Sequence, residues 1–215
     1  MTLPTVEMPV PGPLTAAADA ASAAVATLPW WAAALGSLVV AYLLGGIPWG
    51  VVVARFYKFD LTKAGSGNTG ATNVFRTLGW RPALITVLAD IAKGAVPAAL
   101  ALWLTHGWTA QWHRDLLVIC VGVAAMAGHM YSPYFKLRGG KGIATGAGAI
   151  VVLMPKVFLL LLVIFVVVVA TSRIVSLGSL IVALAFPLAI WLLYGQDRPA
   201  LLAFAALGVP LVFWA

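Results

Sequence analysis

Read from its start, the chain sets long apolar stretches against short polar ones. Candidate helices run Pro29–Ala54, Pro82–His106 and Asp115–Tyr134, each about the ~20 residues that cross a hydrocarbon core. The apolar stretch Gly142–Ala170 contains Pro155 followed by Lys156, which predicts two spans broken there rather than one long kinked helix. Gly142–Met154 would then be short, at ~20 Å by the helical rise. Ile174–Tyr194 and Pro199–Ala215 follow, separated by the turn signal Gly195-Gln196-Asp197-Arg198-Pro199. The pattern predicts an all-α integral membrane protein of about seven transmembrane helices.

Residues 1–28 break the pattern. They are rich in Pro, Ala and Thr and carry Glu7 and Asp19 but no Lys or Arg. A secretory signal needs a basic region ahead of its apolar core. The expectation is therefore a flexible tail over 1–28 and a single membrane domain over 29–215, its first span retained.

Composition agrees. Of 215 residues, 63% are hydrophobic and 9% charged, whereas soluble domains carry roughly a quarter charged residues. Too few polar residues remain to build a water-facing shell. The net charge of +7 would suggest nucleic acid in a soluble protein. Here the basic residues sit in short loops, which points to topology and anionic substrates and away from nucleic acid. With the N-terminus periplasmic and the C-terminus cytoplasmic, the inner segments hold Arg55, Lys58, Lys63, Arg76, Arg81, Lys136, Arg138, Lys141 and Arg173. Arg114, Lys156 and Arg198 lie outside, and Lys93 lies within a span. That is nine against three, a positive-inside asymmetry; six spans would give eight against four. Cys120 has no thiol to pair with, and no His, Cys, Asp and Glu cluster has metal-ligand spacing, so no metal is expected.

Two segments are too polar for their setting. In the first, Lys63–Arg76, Gly65, Gly67 and Gly70 free backbone N–H groups for close approach to an anion. Ser66, Asn68, Thr72 and Asn73 add neutral hydrogen-bonding groups, and Arg76 a forked cation suited to phosphate. The plainer reading is a flexible turn, which would not need so many amide and hydroxyl side chains. The literal G-x-G-x-x-G it contains follows a membrane helix rather than a strand, which excludes a dinucleotide fold.

In the second, Gly128–Thr145, Gly139-Gly140-Lys141-Gly142 precedes a helix. It offers a phosphate the N-terminal amides, the positive end of the dipole and an ammonium group. It is not a Walker loop, because Gly142 stands where Ser or Thr should follow the lysine. Topology alone could explain Lys136 and Arg138, but not glycines on both sides of Lys141. His129 is open to two readings, a buried hydrogen-bonding residue or a ligand contact. Asp90 and Lys93 share a helical face mid-span, as a neutralising pair or as a substrate contact. Arg173, Ser176 and Ser179 open another span from the inside, either as helix packing or as a polar wall of the site.

These residues resemble the bacterial acyl-phosphate-dependent glycerol-3-phosphate acyltransferases, the PlsY family. Gly65–Gly79 (GSGNTGATNVFRTLG) is similar to the family's first motif and Gly128–Thr145 (GHMYSPYFKLRGGKGIAT) to its second. Asp90-Ile91-Ala92-Lys93-Gly94 and Ser176-Leu177-Gly178-Ser179 match shorter signatures in the same order. The resemblance spans about Ala41 to Ala215. It implies a seven-helix enzyme of the bacterial inner membrane that moves a fatty acyl group from acyl phosphate to the 1-hydroxyl of glycerol 3-phosphate. Lysophosphatidate and inorganic phosphate would be released, with no cofactor. Ser66, Asn73, Arg76 and Lys141 would form the catalytic core, with the motif glycines binding phosphate through N–H groups. Asn68, Thr72, His129, Arg173, Ser176 and Ser179 complete the expected binding set. The resemblance also favours a monomer whose partners are its two substrates and membrane lipid.

Ser132-Pro133 places the proline one residue later than the family usually has it, and Leu137 replaces a usual Phe. Family members continue past the last helix into a segment of the type H-x-x-N-x-x-R-L, whose His and Asn belong to the site. The sequence here stops at Val212-Phe213-Trp214-Ala215, so the expectation is a shortened version or a catalytically impaired relative. A transporter of phosphorylated metabolites is the rival from another class, but it would place binding groups near the midplane and repeat its halves. The halves here carry no convincing repeat.

Overall fold

Proline and glycine decide where the apolar stretches break. The computed structural model describes Ala20 and residues 29–105, 111–195 and 197–214. Apart from Ala20, the expected tail over 1–28 lies outside the described residues. By its internal packing the chain divides into units 1–35 and 36–215. The described part of the first unit holds the start of helix α1, Trp30–Gly45. Everything below concerns the second.

The described residues form helices without strands: α1; α2, Trp49–Phe56; a 3-10 turn, Leu61–Lys63; α3, Ala71–Leu78; α4, Trp80–Leu104; α5, Gln111–Met130; α6, Ile143–Leu153; α7, Pro155–Ser172; α8, Val175–Tyr194; and α9, Pro199–Trp214. By length and composition, Trp31–Phe56, Trp80–Leu104, Pro155–Ser172 and Val175–Tyr194 can each cross a membrane. Ile143–Leu153 is a shorter apolar helix.

The break expected at Pro155 is present, with Met154 in a non-helical conformation and Pro155 opening α7, where its missing N–H costs nothing. Two expectations change. Pro29–Ala54 is not one continuous helix. It is interrupted at Gly46-Ile47-Pro48, because Pro48 cannot donate a hydrogen bond and crowds the residue before it. Nor is Lys63–Arg76 wholly a loop, since its second half is α3. Ala71–Leu78 contains neither Gly nor Pro, and α3 turns Val74 inward on Ala54, Leu61 and Ala83.

Close helix crossings rest on small residues, as membrane packing favours. A Cβ on Gly45 would overlap the Ala125 backbone, and one on Gly128 the Tyr42 carbonyl, so α1 and α5 touch backbone to backbone. Gly94 on the Thr145 carbonyl and Gly148 on the Ile91 carbonyl do the same for α4 and α6. One apolar cluster (Ala41, Ala98, Ala101, Val118, Val121, Ala125) joins α1, α4 and α5. Another, around Met154, Val157, Ile190 and Leu201, joins α5 to the later helices.

The two ends of α5 differ in their charges. At its start, Arg198 Nε and a terminal Arg198 nitrogen donate to the two oxygens of buried Asp115, at 2.5 and 2.6 Å. That bidentate pair ties α5 to α9. At its finish, about 20 Å away by helical rise, lie His129 and the glycine segments.

Candidate phosphate-binding site

The first glycine segment is shaped by one buried amide. Asn73, 2% exposed, sits in the first turn of α3 and reaches back across the loop. Its Oδ1 accepts from the Ser66 N–H at 3.0 Å, and its Nδ2 donates to the carbonyls of Ala64 at 3.2 Å and Asn68 at 2.9 Å. Asn68 Oδ1 in turn accepts from the Gly70 N–H at 2.8 Å, an Asx-turn that launches the helix. Gly65 and Gly67 have φ of 58° and 67°, where a side chain would be strained.

The N–H groups of Ser66, Gly67 and Gly70 are thus engaged within the loop, a correction to the expectation that the glycines simply free their amides for an anion. The Ala71 and Thr72 amides are the ones α3 leaves without intrahelical partners. Ser66, Thr72 and Arg76 are exposed. Asn73, expected in the catalytic core, has its side-chain oxygen and nitrogen engaged with the loop backbone. Just upstream, Asp60 caps the 3-10 turn. Hydrogen bonds from the Thr62 hydroxyl and then the Thr62 N–H, with Lys63 nearby, hold its carboxyl below the usual range.

The second segment is seated on a helix end. The Gly140 N–H donates to the His129 carbonyl at 3.2 Å, and Gly142 (φ 74°) caps α6. A Cβ on Gly139 would fall on the His129 carbonyl oxygen, and one on Gly140 on His129 Nε2. His129 is therefore the floor of this loop. Its side chain is 6% exposed, with Nδ1 3.6 Å from Asp90 Oδ1. That is longer than a hydrogen bond, and Nδ1 has no such partner among the described residues. An unmet buried donor costs about 1–3 kcal/mol, so closing the gap is favourable. His129 is buried, as one of its two readings has it, but its Nδ1 makes no hydrogen bond among the described residues.

Asp90 also pairs with Lys93, Oδ1 to Nζ at 2.9 Å, both side chains 3% exposed. Lys93 Nζ then donates to the Ile47 carbonyl at 2.9 Å. That carbonyl belongs to the break between α1 and α2, where it also accepts from the Trp49 N–H at 3.0 Å. Ser132 Oγ serves the neighbouring Gly46 carbonyl at 2.5 Å, and the Tyr42 hydroxyl donates to the Tyr131 carbonyl at 2.7 Å. Sequence reasoning missed these partners. Pro48 was the only signal that carbonyls nearby would need donors.

Lys141 is exposed and, like Arg76, enters no ion pair among the described residues. Arg173 ends α7 in a left-handed conformation and is exposed, as is Ser176, while Ser179 Oγ donates to the Val175 carbonyl of its own helix at 3.2 Å. No hydrogen bond or ion pair among the described residues joins this trio to either glycine segment. Gly178 packs against Val169 and Phe165, supporting the helix-packing reading there.

A family model described as glycerol-3-phosphate acyltransferase matches residues 35–215. The glycerol-3-phosphate acyltransferase of Desulforamulus reducens is 42% identical over 179 residues, covering 82% of this chain and 84% of that protein. That of Geobacter sulfurreducens is 44% identical over 149 residues, 69% and 73% of the two chains. Among solved structures, PlsY (YgiH), an integral membrane glycerol 3-phosphate acyltransferase, matches in its glycerol 3-phosphate form with TM-score 0.74 at 31% identity. The match covers 84% of this chain and 86% of that one. Its lysophosphatidic acid form matches with TM-score 0.73.

Proposed function

The chain belongs to the glycerol-3-phosphate acyltransferase family, and we propose that its two glycine segments each hold one phosphate of the reaction. It is a membrane acyltransferase that acylates glycerol 3-phosphate. The acyl donor is acyl phosphate. The 1-hydroxyl oxygen of glycerol 3-phosphate attacks the acyl carbon, the bond from that carbon to the phosphate oxygen breaks, and inorganic phosphate leaves.

One observation carries this reading: Arg76 and Lys141 are exposed and free of ion pairs among the described residues, each beside a glycine segment whose backbone is held from behind. Charge-assisted hydrogen bonds from such groups are worth about 1.5–3 kcal/mol each. Ser66, Thr72 and Arg76 face one phosphate. Lys141 and the amides around Gly139, Gly140 and Gly142 face the other and stabilise the oxyanion formed at the acyl carbon. Asn73 shapes the first loop, and Gly65, Gly67, Asn68 and Gly70 give it its turns. A substrate phosphate takes the hydroxyl proton, since acyl phosphate is already activated.

The same reading places seven spans across a bacterial inner membrane, with the N-terminus outside and both segments at the cytoplasmic face. Residues 29–215 act as one domain in a monomer. The positive-inside asymmetry supports this orientation.

Purified protein given palmitoyl phosphate and glycerol 3-phosphate should form lysophosphatidate and phosphate in equal amounts. Phosphate without lysophosphatidate would mean hydrolysis, and neither product would defeat the assignment.

A further inference from the structure

Asp90, Lys93 and His129 touch neither glycine segment's exposed face, yet they lie behind both. On one side, His129 Nδ1 is 3.6 Å from Asp90 Oδ1 while the rest of the residue seats Gly139 and Gly140. On the other, Lys93, paired to Asp90 at 2.9 Å, donates to the Ile47 carbonyl at the break that launches α2. Gly50 is one helical turn beyond Ile47, and a Cβ there would strike the Thr69 carbonyl and meet Val74 Cγ2 at 3.3 Å. The first segment thus rests on α2 within ~5 Å of rise from the carbonyl Lys93 holds.

The geometry points to a buried brace, His129–Asp90–Lys93–Ile47, that fixes the spacing of the two phosphate subsites. Its members are positioning residues. Acyl transfer needs the hydroxyl of one bound molecule within reach of the acyl carbon of another, and small misplacements cost rate steeply. Lys93 suits this part because it serves two partners at once, the carboxylate and the Ile47 carbonyl, which also accepts from the Trp49 N–H at 3.0 Å. Asp90 similarly lies between Lys93 and His129. A buried charged group with such partners is held to one geometry, whereas a hydrophobic replacement would pack without fixing either loop.

The inference rests on the two-subsite reading above, and its test separates the two. In a Cys120→Ala background, nitroxides are placed at Lys63→Cys and Lys136→Cys, one in each segment, both exposed and neither proposed to contact phosphate, and distances are read by pulsed electron resonance. His129→Asn is one variant. Asp90→Asn with Lys93→Met is the second, because it removes the pair without leaving a lone buried charge. The expected result is a visibly broader distance distribution in both, with kcat about tenfold lower and KM for glycerol 3-phosphate within about threefold of the parent. An unchanged distribution, or an unchanged kcat, would overturn the brace. So would a loss carried wholly by KM, which would make His129 a binding residue. If the parent itself makes no lysophosphatidate, the function reading fails and the distances alone decide the brace.

Discussion

The two glycine segments, proposed to bind chemically similar groups, are built in opposite ways. The first organises itself, because Asn73 and Asn68 make its hydrogen bonds across separations of two to nine residues. Among the described residues the second makes one backbone bond to its seat, Gly140 to His129, and takes its shape from what lies beneath. A locally closed loop can form wherever α3 forms. A seated loop depends on α4, α5 and the broken first span all being in register. Damage to the first should therefore loosen one subsite, whereas damage to the second should displace it.

Substitutions that fill the seat should break this comparison most. Gly139→Ala drives a methyl into a backbone oxygen that cannot yield, and lysophosphatidate formation should fall about a hundredfold or more. Retention of a tenth of the activity would show that the seat is not needed. Gly140→Ala meets a side chain instead, so its loss should be nearer tenfold. Combined with His129→Ala it should be no worse than His129→Ala alone, whereas Gly139→Ala should gain nothing from that partner. Steady-state rates of the four variants decide it.

Asn73→Ala tests the self-organised loop. It removes three hydrogen bonds worth about 0.5–1.5 kcal/mol each. Because the loop can re-form around bound phosphate, kcat/KM should fall about tenfold, mainly through KM. A pure kcat loss would return Asn73 to the catalytic core. The smallest effect belongs to Gly70→Ala. Gly70 has an ordinary φ of −77° and an added Cβ would lie 3.2 Å from Asn68 Oδ1, a side-chain atom. About twofold or less is expected, within the ~0.5 kcal/mol usual for tolerated positions. A larger loss would mean the Asx-turn is as rigid as the His129 seat.

Much of the site was legible without coordinates because its parts are short-range. Glycines, amides and an Arg packed between two spans announce anion chemistry from their side chains alone. Asp90 and Lys93, three apart on a helix, were bound to share a face. α3 was hidden because its glycine-rich prefix drew attention from the apolar positions Val74 and Leu78. The role of Asn73 was hidden because an amide reads the same whether it faces a phosphate or its own backbone.

What the sequence by itself determined is therefore the membrane class, the cations Arg76 and Lys141, and the break at Pro155. Each follows from composition or from neighbours within a turn or two. Only the tertiary structure decided what supports them. Lys93 finds Ile47 across 46 residues, and Ser132 finds Gly46 across 86. A break at Gly46-Ile47-Pro48 interrupts the helical ladder, but the sequence cannot say which side chains reach the carbonyls there. That choice is made by the α1–α5 and α4–α6 crossings, where backbone meets backbone and brings the donors to the broken helix.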